Sequence, residues 1–195
     1  MRNLVVIEFL SLDGVMQSLG SPEEDTSGGF RHGGWSAPYF DETLGQAAGE
    51  GMKSTTAYLF GRKTYEHMAA FWPHQPDSDP MAAHLNRTPK YVVSNTLSDP
   101  SWPGTTVLRG DALPQVAALK DEGDGNIAVL GSGELVHRLT TADLVDSYTL
   151  FVHPLVIGSG KKLFRDYEDV RRLRLVSSQP TRTGVLILSY DTVRQ

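Results

Sequence analysis

Ala57-Tyr58-Leu59-Phe60-Gly61-Arg62-Lys63-Thr64-Tyr65-Glu66 passes from an apolar run, through a single glycine, into residues of helical character. A short apolar run bounded by a turn residue reads as a buried strand, and glycine at a strand-to-helix junction lets a phosphate approach backbone N–H groups. The arrangement recurs where Ile127-Ala128-Val129-Leu130 leads into Gly131-Ser132-Gly133-Glu134-Leu135. There too a helix start offers unpaired donors and the positive end of its dipole. Two such junctions in one small domain point to one bound dinucleotide.

Outward from these junctions, β-branched and aromatic runs alternate with helical patterns, the order expected of an α/β domain with a largely parallel sheet. Strands are expected at 3–10, 56–60, 90–94, 105–108, 126–130, 145–153, 173–178 and 184–191, and helices at 39–52, 62–71, 111–121 and 133–141. Asp111 is placed as an N-cap, followed by the apolar face of Leu113, Val116, Ala117 and Leu119. No helical pattern separates the last two strands, only Gln179-Pro180-Thr181-Arg182-Thr183-Gly184, so they are expected to form an antiparallel hairpin at one edge of a mixed sheet. Gln17 to Trp35 and Trp72 to Pro89 read as long loops, the first leaving the Ser11-Leu12-Asp13-Gly14 segment and able to border a cleft.

At 195 residues the chain is expected to form a single domain spanning 1–195. A net charge of −5 with scattered basic residues argues against a nucleic-acid surface. The absence of cysteine excludes disulfides and thiolate metal sites, and fits a reducing compartment, with the cytoplasm as the default expectation. The apolar run Leu4-Val5-Val6-Ile7 is too short for a membrane span and is broken by Glu8, so it reads as a first strand. Neither glycine junction has G-x-G-x-x-G spacing, which excludes a standard Rossmann dehydrogenase. Gly158-Ser159-Gly160-Lys161 lacks the first glycine and the metal-binding hydroxyl of an ATP-binding P-loop. The six histidines show no helical zinc spacing, nothing matches G-x-S-x-G, and no metal site is expected.

Ser11-Leu12-Asp13-Gly14, Gly61-Arg62-Lys63-Thr64-Tyr65-Glu66, Val92-Val93-Ser94-Asn95 and Val129-Leu130-Gly131-Ser132-Gly133-Glu134-Leu135 occur in the order seen in the dihydrofolate reductase-like superfamily. Together with His153-Pro154-Leu155-Val156-Ile157-Gly158-Ser159-Gly160-Lys161-Lys162-Leu163-Phe164, the chain most resembles the reductase domain of bacterial bifunctional riboflavin-biosynthesis deaminase-reductases and its stand-alone relatives. The resemblance implies a three-layer α/β fold with NADPH lying across the carboxyl ends of the strands. By position it implies that Gly61, Arg62, Lys63 and Thr64 meet cofactor phosphates. It places Ser94 and Asn95 near the adenosine end, and Gly131, Ser132, Gly133, Glu134 and Leu135 around the pyrophosphate. It further implies hydride transfer to a small nitrogen heterocycle, first of all an aminouracil bearing a phosphoribosylamino group, and a homodimer.

Reduction of an imine also needs a proton source. Asp13 is the candidate catalytic residue, although an Asp-Gly pair reads equally as a turn. Asp41 stands near a helix start, where a carboxylate complements the dipole. True dihydrofolate reductases carry a pterin-binding carboxylate in that helix, but Gly33-Gly34-Trp35-Ser36-Ala37-Pro38-Tyr39-Phe40-Asp41-Glu42 does not align cleanly with it. Trp35, Tyr39 and Tyr65 read as core aromatics or as stacking surfaces for a planar ring. Asn95 occupies a position where relatives often hold a cation, leaving Arg62 and Lys63 for a 2′-phosphate. Dihydrofolate reduction and a non-catalytic nucleotide-binding module of the same fold are the alternatives.

Overall fold

Tyr58, Leu59 and Phe60 are all buried because their strand is covered on both faces. Leu59 and Ala57 join a core with Leu4, Val6, Val116, Ile127, Val129 and Leu139, whereas Tyr58 and Phe60 face Tyr65, Leu85 and Trp102. The computed structural model describes residues 1–194. Its strands are β1 (Asn3–Ser11), β2 (Thr55–Gly61), β3 (Lys90–Val93), β4 (Thr105–Leu108), β5 (Asn126–Leu130), β6 (Ser147–His153), β7 (Leu173–Pro180) and β8 (Leu186–Thr192). The helices are α1 (Glu42–Ser54), α2 (Arg62–Phe71), α3 (Pro80–Arg87), α4 (Ala112–Asp121) and α5 (Gly133–Thr141).

The eight strands form one sheet in the order β4-β3-β2-β5-β1-β6-β8-β7. The first six run parallel, and the β7–β8 hairpin adds antiparallel to β6, as expected. β2 and β5 are neighbours, yet the chain leaves β2 toward β3 and leaves β5 toward β6, on opposite sides. Such a reversal opens a crevice beyond the carboxyl ends of the two strands, the usual ligand position in open α/β sheets. Both glycine junctions lie there.

Two expected readings change by more than two residues. The segment Trp72 to Pro89 is not a loop, since it contains a 3-10 helix at Trp72–His74 and the helix α3. Asp79 Oδ1 accepts the Met81 and Ala82 amide hydrogens at 2.8 and 3.1 Å, and Pro80 takes the first turn, where its missing N–H costs nothing. The helix expected from residue 39 begins at Glu42, because Asp41 is its N-cap and Ala37–Tyr39 forms a separate 3-10 helix. Gln17 to Trp35 is a bonded loop with its own core of Val15, Phe30 and Trp35. Gln17 anchors it, its side-chain amide donating to Asp25 O and Ser27 O and accepting from Lys161 N, each at 3.0 Å. No helix among the described residues is long and apolar enough to cross a membrane.

Candidate functional site

The two glycine junctions, expected to act together, are stitched to each other. Gly61 N donates to Ser132 Oγ at 2.9 Å, and Ser132 N donates to Thr64 Oγ1 at 3.1 Å. Gly131 and Ser132 both adopt left-handed backbone, with φ of 57° and 64°. A Cβ on Gly131 would sit 3.0 Å from Thr64 Cγ2, and one on Gly133 would sit 2.8 Å from Met16 Sδ. Gly131 is therefore required by backbone shape as well as by close approach, whereas a side chain at Gly133 would have to displace the end of the Met16 side chain.

Helix capping separates these two helices from α1, α3 and α4. α1, α3 and α4 each begin with an aspartate, Asp41, Asp79 and Asp111, whose side chain accepts a backbone N–H of the first turn. α2 and α5 begin at Gly61 and Ser132, and neither receives a side-chain cap. Their first-turn amides keep their donors, and two positive dipole ends face one crevice. That is the chemistry of an anion cradle.

The charged residues around the cradle are partly occupied. Arg62 pairs with Glu66 at 2.9 Å, one helical turn on, and Lys63 is exposed. Glu134 would place a negative charge in the first turn of α5, but Arg165 binds it through two hydrogen bonds of 2.7 and 2.9 Å. The guanidinium holds the Glu134 carboxyl below its usual range and cancels its field at the helix end. The Leu135 side chain is buried in the core, where it fixes the helix.

Ser94 and Asn95 close the turn after β3. Ser94 Oγ accepts from Thr96 N and Leu97 N at 3.2 and 3.0 Å, and Asn95 Oδ1 accepts from Gly110 N at 2.7 Å. The last contact brings the carboxyl end of β4 beside Asn95, and with it Arg109, an exposed cation whose Nη2 donates to Leu97 O at 2.6 Å. Sequence reasoning passed over Arg109. Its position directly after a strand at the carboxyl edge was the available signal.

Asp13 is held as a carboxylate. Oδ1 accepts from Ser11 Oγ at 2.7 Å and Ile157 N at 3.0 Å, and Oδ2 accepts from Gly158 N at 2.8 Å. These bonds, led by the one from Ser11, lower its pKa to about 2, so it carries no proton to donate at neutral pH. Asp41 is similarly committed: Oδ1 caps α1 through Leu44 N at 2.9 Å, and Oδ2 accepts from Arg182 N at 2.9 Å in the β7–β8 turn.

Beyond β1 and β6 the site is aromatic. Phe9 stacks on Phe151 at 4.5 Å, and the His153 ring meets Trp35 and Tyr39 edge to face at 5.1 and 5.6 Å. Trp35 thus comes from the bonded loop, Tyr39 from the 3-10 helix before α1, and Tyr65 lies apart in the α2 core beside Trp102. A separate cavity of about 220 Å³ lies at the amino ends of β1, β5 and β6, between Ile7, Ser54, Thr149 and Val176, away from the glycine junctions.

Comparison with known proteins agrees with this architecture. The chain is similar to two uncharacterized proteins of Bacillus subtilis strain 168. YyaP is 27% identical over 135 residues, covering 68% of this chain and 71% of that protein. YwjB is 31% identical over 117 residues, covering 60% and 63%. Among solved structures, a pyrimidine reductase-like protein from Corynebacterium diphtheriae superposes with a TM-score of 0.69 at 15% identity, over 100% of this chain and 93% of that one. Dihydrofolate reductase from Enterococcus faecalis, complexed with NADP(H) and RAB-propyl, superposes with a TM-score of 0.60 at 17% identity, over 97% and 94%. At these identities the structures establish the dihydrofolate reductase-like fold. The RibD C-terminal domain family matches residues 2–187, and the chain belongs to that family.

Proposed function

We propose that the protein is an NADPH-dependent reductase of the riboflavin-pathway type, acting on a small nitrogen heterocycle. The observation that carries this reading is the pair of uncapped helix starts after β2 and β5, joined by Ser132, where α1, α3 and α4 are each capped by an aspartate. Amides of α2 and α5 hold the pyrophosphate, Thr64 offers its hydroxyl hydrogen, and Lys63, Arg62 and Arg109 supply cations for a 2′-phosphate. Ser94 and Asn95 shape the adenosine end through the turn they close. When bound, the cofactor supplies hydride to an electrophilic ring or imine carbon.

Asp13 serves this reading as an ionised anchor that fixes the 155–158 segment at the end of β6. Dihydrofolate itself is the weaker substrate, since both oxygens of Asp41 are engaged by backbone amides and leave no free carboxylate for a pterin. An aminouracil bearing a phosphoribosylamino group is the first substrate to try. The test is titration with NADPH and NADH, followed by reduced-nicotinamide fluorescence and calorimetry. Stoichiometric binding with NADPH preferred is expected, and Arg109→Ala should erode that preference. Absence of binding by either nucleotide defeats the proposal.

A further inference from the structure

His153 ends β6 directly opposite Ser11 of β1, at the same sheet edge as the glycine junctions. Its Nδ1 lies 3.0 Å from Phe151 O and 3.3 Å from Leu10 O. Carbonyl oxygens only accept, so Nδ1 carries the ring hydrogen and Nε2 keeps a lone pair. Burial holds the imidazole below its usual pKa, which keeps it neutral at neutral pH. Nε2 is buried and has no partner among the described residues, although His153 itself is only 1% exposed. Trp35, the nearest indole, spends its single donor on Gln17 O at 2.8 Å. The acceptor is thus fixed in one tautomer, withdrawn from water and left open.

Its surroundings suit a flat ligand. Phe9, Trp35 and Tyr39 surround the imidazole at centroid distances of 6.0, 5.1 and 5.6 Å. Tyr39 is half-buried on a short 3-10 helix, and access of a ligand to the imidazole requires its side chain to turn aside. Adjacent strands stand about 4.8 Å apart, and β1 and β6 are the next two strand ends after the β2–β5 cradle.

We propose that His153 Nε2 is the hydrogen-bond acceptor that reads an N–H on the rim of a planar nitrogen heterocycle seated against Phe9, Trp35 and Tyr39. The proposal rests on the reductase reading above and adds the substrate contact to it. A site with a buried acceptor favours rings that present a donor and rejects those that leave it unpaired.

The experiment is nitrogen-15 NMR of the histidine rings in wild-type protein, with 5,6-diaminouracil, lumazine and pterin added in turn, and NADPH titrated into the same sample. In the free protein Nε2 of His153 is expected to show the resonance of an unprotonated ring nitrogen, and at least one heterocycle should move it. His153→Phe, which keeps a flat ring and removes the acceptor, should weaken that heterocycle about tenfold with NADPH affinity unchanged. A protonated Nε2 in the free protein, or an Nε2 resonance unmoved by all three rings, overturns the inference even where NADPH binds. A responding Nε2 without NADPH binding leaves the acceptor standing and removes the reductase reading instead.

Discussion

Ser132 Oγ accepts the Gly61 amide hydrogen across 71 residues of sequence, which makes the starts of α2 and α5 one structural unit. The serine does so from left-handed backbone, a conformation that costs a non-glycine residue about 1 kcal/mol. The strain is held by the Thr64 hydroxyl, which accepts the Ser132 amide hydrogen. A ligand bridging both helix starts therefore meets donors already fixed relative to one another, and little ordering remains to oppose binding.

Gly131→Val tests this unit. The valine Cβ would stand 3.0 Å from Thr64 Cγ2 on backbone with φ of 57°, so Thr64 must move and the link to Ser132 must lengthen. NADPH affinity should fall about tenfold or more, the equivalent of one or two hydrogen bonds. The far-ultraviolet circular dichroism should be unchanged, because the substitution lies outside the core strands. Fluorescence titration of the folded variant is the measurement, and wild-type affinity would remove the junction from the cofactor site.

Asp13→Asn separates anchoring from chemistry. An amide offers one acceptor oxygen where the carboxylate uses two, so either Ile157 N or Gly158 N loses its partner. In the wild type the folded pKa of about 2 lies below the unfolded value of 3.8, so this stabilisation is present above pH 3.8 and is lost as pH falls through 2. The variant should melt at a lower temperature at pH 7 and show a shallower loss between pH 4 and 2. Thermal melts across that range, compared with wild type, decide it. Equal melting temperatures at pH 7 would mean the carboxylate does not hold the loop.

The strands and both glycine junctions were legible because their signals are local: an apolar run buried on both faces, then glycine. α3 was not, since Pro76 and Pro80 read as breakers, and only the Asp79 cap shows that Pro80 starts a helix. The roles of Ser94 and Asn95 as turn closures depend on Thr96, Leu97 and Gly110 and have no signature of their own. Arg109 had only its place after a strand end as a signal, and His153 only its place in a motif, so the role of neither could be read. A single cation or imidazole acquires meaning only from neighbours that the sheet order brings together.

Glu8 offers a test of buried charge. It sits in the middle of β1 at 1% exposure, Oε1 has no hydrogen-bond partner among the described residues, and burial pushes its pKa well above the usual 4.5. The unfolded chain releases this proton first, so as pH rises from 4.5 toward the folded pKa the folded state loses stability relative to the unfolded one. Glu8→Gln removes that loss and should gain about 1–3 kcal/mol at pH 7, with little change at pH 4. Urea melts at the two pH values check it, and an equal difference at both would show that the effect is packing rather than ionisation.

Lys90 shows how a second buried charge supports the site from a distance. Its Nζ donates to Leu85 O, Asn86 O and Thr88 O at 2.8, 3.2 and 2.7 Å, and lies 4.7 Å above the centre of the Trp102 ring. Burial lowers its pKa to about 8, which still leaves the ammonium charged at pH 7, where it completes the carboxyl end of α3. Trp102 continues the chain of contacts, since its amide donates to Tyr65 Oη at 3.0 Å, and Tyr65 is a core residue of α2. Lys90→Met would leave those carbonyls unpaired at a cost of about 2–4 kcal/mol. Lys90→Arg should not restore the loss, because a planar guanidinium cannot reproduce the compact ammonium. The expected result is a lower melting temperature, with faster amide exchange in α3 and at the start of α2. Loss of protection confined to α3 would break the proposed link between this lysine and the helix that carries the first glycine junction.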